Sequence, residues 1–147
     1  MLPENLWDIQ PPFRSLYGMC VEPVCQSFGL TRTELDILLF LANNPKYDTA
    51  AEISDVRHLA KSHVSTSLKS LEQNGYIVKS SEDRDKRRIH LRLTKKADAV
   101  IQEGQNQQSV FANIVMDGFD AQERQQILSF LTRIKENIKN HLEEYTK

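Results

Sequence analysis

A chain of 147 residues, 39% hydrophobic and 27% charged, carries enough apolar material for one globular fold and is too short to need two independent cores. No run approaches the roughly 18 consecutive apolar residues of a membrane span, so no membrane partner is expected. The start, MLPENLWDIQPPF, lacks the basic and apolar pattern of a secretory signal, and the expected location is cytoplasmic.

The formal net charge of -1 disfavours a polyanionic partner until it is divided along the chain. Residues 57 to 96 hold 11 Lys and Arg against 4 Asp and Glu, whereas residues 1 to 56 hold 3 against 8 and residues 97 to 147 hold 5 against 8. Positive charge gathered in one segment is the footprint of a chain that neutralises phosphates locally without being basic overall. A solvated surface with a chance excess is the blander alternative.

In chain order, Pro11 and Pro12 suit the first turn of a helix, where the missing N–H is not needed. Phe13, Leu16, Tyr17, Cys20, Val21 and Val24 follow at helical spacing. Pro23 predicts a kink or break near Met19, because its ring clashes with the carbonyl four residues earlier. Cys20 and Cys25 lie five residues apart in a chain expected in the cytoplasm, where a structural disulfide is disfavoured. Two small buried hydrophobes is the simpler account of them.

The next helix should start at the capping pair Thr31 and Glu34, run through Leu35, Leu38, Leu39 and Ala42, and stop at Asn43 to Pro45. A short helix opens at a second capping pair, Thr49 and Glu52. Another, from about Ala60 to Asn74, turns Val64, Leu68 and Leu71 inward. Its outer surface carries Lys61, Ser62, His63, Ser65, Thr66, Lys69 and Ser70. Gly75 ends it, since glycine enters the left-handed conformation without steric cost.

The period then changes from about 3.6 to 2, the mark of a strand. Ile89, Leu91 and Leu93 alternate with Arg88, His90 and Arg92, and the pairing strand is expected at Tyr76 to Ser80. Between the strands, the polar tip at residues 81 to 87 holds Arg84, Lys86 and Arg87, with Arg88 just beyond it. Such a tip suits a phosphate-lined groove. The two helices and the hairpin together predict a helix-turn-helix that reads double-stranded DNA.

Thr94 should cap a long helix reaching about Asp117, with Ala97, Ile101, Gly104, Gln108, Phe111 and Val115 on a stripe crossed by the polar run QEGQNQQS. After Gly118, Asp120 and Glu123 form a capping-box variant. Ile127, Leu131, Ile134, Ile138, Leu142 and Tyr145 then recur at steps of four and three, a heptad-like seam. Apolar stripes on helices at both ends, with little domain to cover them, predict a homodimer. Packing on its own subunit is the alternative for the last helix.

No nucleophile with a base, no glycine-rich phosphate loop and no metal constellation is legible, so neither an enzyme, a cofactor nor a metal site is expected. His58, His63, His90 and His141 are scattered. His58 and His63 stand five apart across a helix-turn junction, a poor metal clamp. His63 is better placed for DNA, and His90 and His141 are expected to be ordinary surface residues.

From Thr31 to Lys96 the order of parts resembles the MarR family of winged-helix transcriptional regulators. The carrying motifs are T-x-A-E at Thr49 to Glu52, K-S-x-V-S at Lys61 to Ser65, and L-E-x-x-G-Y at Leu71 to Tyr76. D-R-D-x-R at Asp83 to Arg87 and L-x-L-T at Leu91 to Thr94 complete the set. Two positions depart from the pattern: His58 stands where the turn often has glycine, and Ala60 where the recognition helix often has a serine cap.

The resemblance implies a mainly α fold with a small β-hairpin wing. It divides the chain into a dimerisation helix at residues 1–30, a winged helix-turn-helix at residues 31–96 and dimerisation helices at residues 97–147. It further implies a recognition helix in the major groove and Arg84 in the minor groove. On that docking Lys61, Ser62, His63, Ser65 and Thr66 approach base edges, and Lys69 and Ser70 lie nearer phosphate. Lys86, Arg87 and Arg88 meet phosphate or pair with Asp83 or Asp85 to hold the tip.

The same resemblance implies a pseudo-palindromic operator and repression relieved by a small aromatic effector near Phe13, Tyr17 and Cys20. As a stripe, those residues also suit plain core packing. A thiol-based redox-sensing regulator, or a winged-helix module that contacts protein and not DNA, are the alternative readings.

Overall fold

The computed structural model describes residues 4–81 and 87–146. The chain divides into two compact units, residues 1–111 and residues 112–147.

In the first unit a 3₁₀ turn at Glu4–Ile9 leads into helix α1, Gln10–Phe28, which keeps Pro11 and Pro12 in its first turn. Of the kink or break expected near Met19, the break does not occur, and the helix continues through Pro23 to Phe28. Val21, Val24 and Cys25 on either side of the proline are buried. Each large side chain so buried contributes roughly 1.5–3 kcal/mol, enough together to offset the roughly 3 kcal/mol that an interior proline costs.

Helix α2, Arg32–Asn43, starts where the capping pair predicts. The Glu34 N–H donates to Thr31 Oγ1 at 3.1 Å and the Thr31 N–H donates to Glu34 Oε2 at 3.0 Å. Leu35, Ile37, Leu38, Leu39, Phe40 and Leu41 are all buried, so this helix is covered on nearly every side. It is the floor under the rest of the unit. Val21, Val24 and Cys25 from α1, Ile53, Val64, Leu68 and Leu71, and Ile77 and Leu91 all join the same core.

Helix α3, Ala50–Arg57, begins at the second capping box, and α4 spans Lys61–Gln73. Between them His58 adopts φ 52°, ψ 43°, the left-handed conformation that glycine enters more cheaply. Buried Ser54 braces that turn: its carbonyl accepts from the Leu59 N–H at 3.1 Å and its hydroxyl donates to the Leu59 carbonyl at 2.6 Å. Gly75, at φ 78°, ends α4 as anticipated.

The hairpin pairs β1, Ile77–Ser81, with β2, Ile89–Leu93, antiparallel, from Ile77 opposite Leu93 to Ser81 opposite Ile89. The first strand thus starts and ends one residue later than its pattern suggested. Of the alternating set, Leu91 is buried, Leu93 partly so, and Ile89 exposed toward the tip. On the side away from β1, the Leu91 N–H donates to the Asp48 carbonyl at 2.7 Å, a single-bond third edge supplied by the connection from α2 to α3.

Thr94 does not cap the following helix. A 3₁₀ turn at Lys95–Ala97 intervenes before α5, Asp98–Val115, and the Thr94 hydroxyl donates to the Gly75 carbonyl at 2.6 Å. It latches the exit of the hairpin to its entrance, a better use of the hydroxyl than a cap on a turn that the hairpin already positions. On α5 Gly104 is a close-approach site, since a Cβ there would lie 2.8 Å from Leu39 Cδ2.

In the second unit the Asp120–Glu123 box opens α6, Ala121–Tyr145. The Arg124 guanidinium donates to the Phe119 and Met116 carbonyls, each at 2.9 Å, closing the turn before it. No residue of α6 is buried.

Candidate nucleic-acid interface

Helix α4 separates its residues as the periodicity requires. Val64, Ser67, Leu68 and Leu71 are buried, while Lys61, Ser62, His63, Ser65, Thr66 and Lys69 are exposed together on the opposite side. Ala60, as N-cap, contributes no side-chain bond. The N–H groups of the first turn, which have no partner within a helix, are therefore left to an acceptor from outside. Their dipole and the Lys61 ammonium both favour an anion there.

Two members of the predicted set are partly engaged. The Thr66 hydroxyl donates back to the Ser62 carbonyl at 2.9 Å, leaving its oxygen able to accept. Ser70 is half-buried at the far end, where its carbonyl accepts from Asn74 Nδ2 at 2.9 Å. The part of the face free to reach outward therefore runs from Lys61 to Lys69.

The hairpin stands beside this helix. A cleft of about 310 Å³ lies between α3, α4 and the strands, floored by Val64, Leu68 and Leu91 and edged by Lys61, Ser65 and Lys79. Lys79 is held toward α4 by Glu72 at 3.2 Å. Arg87 and Arg88 are exposed just ahead of β2. Arg84 and Lys86, with Asp83 and Asp85, lie outside the described residues.

Both ends of the hairpin hold groups that periodicity did not single out, His90 toward the tip and Lys96 at the foot. His90, expected to be an ordinary surface residue, is largely covered, and its Nδ1 lies 2.8 Å from Asp48 Oδ1. Lys96 donates to the Asn74 carbonyl at 2.6 Å with its ammonium 4.6 Å from the Tyr76 ring centroid. No periodicity links Asp48 to His90, and no linear signal could have paired them. Glu52, which accepts from the Asp48 and Thr49 N–H groups at 2.9 and 3.0 Å, is pulled up by burial but more strongly down by those bonds. Its carboxyl titrates below the usual value.

Of the residues expected near an effector, the Phe13 and Tyr17 rings both meet Phe111 edge-on, at centroid separations of 4.8 and 5.2 Å. The Tyr17 hydroxyl accepts from Gln108 Nε2 at 3.1 Å, and the Arg32 guanidinium lies 4.6 Å from its ring centroid. Cys20 is half-buried one turn further on. A groove of about 520 Å³ elsewhere on α1 and α5 is lined by Pro23, Val24, Phe28, Gln102 and Asn106, and not by these three residues. Both cysteines are free thiols, and burial pushes the Cys25 thiol above its ordinary range.

Among the described residues no three His, Cys, Asp or Glu side chains are grouped to hold a metal. No described helix is long and apolar enough to cross a membrane.

Comparison with known proteins places this geometry. Residues 28–88 match the model of the MarR family. The HTH-type transcriptional regulator BilQ of Clostridioides difficile is 26% identical over 137 residues, covering 93% of this chain and 88% of the relative. A protein described as a MarR family transcriptional regulator from Listeria monocytogenes, solved with a 26-mer DNA, superposes with a TM-score of 0.83 at 21% identity. That match covers 95% of this chain and 92% of the other. The transcriptional regulator SlyA gives 0.80 at 18% identity over 99% and 100% of the two chains. The mainly helical architecture with one two-stranded hairpin is the MarR winged-helix fold. Residues 28–88 carry the match to the MarR family model, and the architecture around them is shared with MarR regulators of known structure.

Proposed function

We propose that this chain binds a pseudo-palindromic duplex operator as a homodimer and represses transcription until a small aromatic effector releases it. The observation that carries the reading is the exposed face of α4 from Lys61 to Lys69, with an uncapped N-terminus beside a hairpin bearing Arg87 and Arg88. It lies within the one cationic segment of an otherwise acidic chain. Lys61, Ser62, His63, Ser65 and Thr66 meet base edges, Lys69 and Ser70 lie nearer phosphate, and Lys86, Arg87 and Arg88 meet phosphate along the wing. Arg84 enters the minor groove. A relative in fold was solved on a 26-mer DNA, which supports the same docking here.

The homodimer reading rests on α6, where Leu131, Ile134, Ile138, Leu142 and Tyr145 are all exposed. Two heads related by a twofold axis require two related half-sites about one DNA turn apart. The aromatic group of Phe13, Tyr17 and Phe111 supports an effector of aromatic character, acting by favouring a head separation mismatched to DNA. A redox switch at Cys25 is disfavoured, because that thiol is buried and burial makes its thiolate scarcer and not more abundant.

Selection of bound duplexes from a random pool tests the reading, with recovery of a symmetric site expected. Affinity for that site should fall steeply with salt, since each neutralised phosphate releases counterions. A flat salt dependence would point to a protein-contacting module. Arg84→Ala should weaken operator binding by roughly 1–3 kcal/mol at fixed salt, and unchanged affinity would remove Arg84 from the groove.

A further inference from the structure

The polar groups of Asp48 join α3 to the outer strand of the hairpin. Its N–H donates to Glu52 Oε2 at 2.9 Å in the first turn of α3. Its carbonyl accepts from the Leu91 N–H at 2.7 Å. Its carboxylate lies 2.8 Å from His90 Nδ1, an imidazole only 19% exposed. These contacts span 42 residues of sequence and end on two successive positions of β2.

The location of the contact gives it a consequence. The ladder closes toward the tip with Ser81 opposite Ile89, so His90 stands one residue from its end. Behind it the hairpin is fixed by Thr94 on Gly75 and by Lys96 on Asn74, both at the exit of α4. Those bonds fix the foot next to Gly75, while Ile77 and Leu91 pack into the core and Lys79 pairs with Glu72 of α4. On the edge of the sheet away from β1, the polar attachments are those to Asp48. The Leu91 amide alone supplies one bond there, and the carboxylate and imidazole beside it supply the other.

We infer that Asp48 and His90 are a positioning pair that sets the wing's angle to the recognition helix. The pair thereby decides whether α4 and the wing engage a duplex at the same time. The inference rests on the DNA-reading proposal for its consequence but not for its geometry, and the two are separable by experiment. Neither residue touches DNA in this account. An asparagine side chain offers both a carbonyl and an amide to Nδ1, so Asp48→Asn retains the bond, whereas Asp48→Ala and His90→Ala remove it.

The first arm measures amide hydrogen exchange in the full chain without DNA. Asp48→Ala leaves the residue 48 carbonyl in place, so a structural bystander would leave the Leu91 amide protected. The expected result is exchange at Leu91 at least tenfold faster in both alanine variants, with Leu68 in α4 unchanged and Asp48→Asn like the wild type. Unchanged exchange at Leu91 overturns the proposal.

The second arm titrates a selected duplex. Each alanine variant should bind roughly three- to tenfold more weakly, the worth of about one hydrogen bond. The double variant should lose no more than either single one, and Arg84→Ala, which removes one of the wing's contacts, should shrink the difference. Additive losses, or losses undiminished without Arg84, overturn it. A wild-type chain that binds no duplex would remove the DNA-reading proposal, while the exchange arm would still decide the pair.

Discussion

Helices α2 and α6 follow the same local rules and end in opposite environments. Each opens with a complete capping box and carries apolar residues at helical spacing. In α2, Leu35, Ile37 and Leu38 are fully buried, whereas in α6 the apolar residues from Leu128 to Tyr145 are about half exposed or more. Capping and periodicity thus specify that a helix forms and which face is apolar. They do not specify what covers the face. Several such side chains left open in one stretch exceed the patch a solitary soluble chain ordinarily carries, and this is the physical ground for proposing a second copy against α6.

The contrast can be broken most severely from the buried side. Leu35→Ala should destabilise the folded chain by about 2–5 kcal/mol, the transfer and cavity cost of a fully buried leucine. Chemical denaturation reads it, and a loss under about 1 kcal/mol would show that α2 is not the floor of its unit. The matching change on α6, Leu131→Ser with Ile138→Ser, should leave the head folded and weaken self-association at least tenfold, roughly 1.4 kcal/mol or more. Sedimentation across a concentration series measures this, and an unaltered association constant would assign the seam to something other than a second copy.

Smaller changes sharpen the local half of the comparison. Thr49→Ala removes the cap that α3 shares in kind with α2 and α6, and should cost about 1 kcal/mol in thermal unfolding. The same box predicts a pH dependence. The Glu52 carboxyl is held below its usual value by the Asp48 and Thr49 bonds. Its contribution is therefore complete above the ordinary carboxylate range and is lost as pH falls through the lowered value. Acid titration of wild type against Glu52→Gln should show the gap in stability closing at low pH, and a constant gap would contradict it. Smallest of all, His58→Gly should stabilise the turn by a net of about 0.5–1 kcal/mol. The left-handed conformation costs a histidine roughly 1–2 kcal/mol, of which glycine's greater unfolded freedom recovers part of the gain.

The exposed face of α4 and the strands beside it were legible because the signals that place them are short. Thr49 sees Glu52, Val64 sees Leu68 and Leu71, and the strand alternation occupies five positions, all within a turn or two of chain. Charge partition added the sign of the proposed partner without any geometry. The wing arginine expected from the motif at residues 83–87 falls outside the described residues.

What the sequence determined by itself was the set of helices, their caps, their apolar faces and the cationic segment, because each depends on neighbours three or four residues away. Only tertiary structure decided that Pro23 is tolerated, that Thr94 latches Gly75 instead of capping α5, that Gly104 receives Leu39, and that His90 is claimed by Asp48. Each of these outcomes turns on a partner brought from tens of residues away by packing. Burial energy and available hydrogen-bond partners override local preference at those sites.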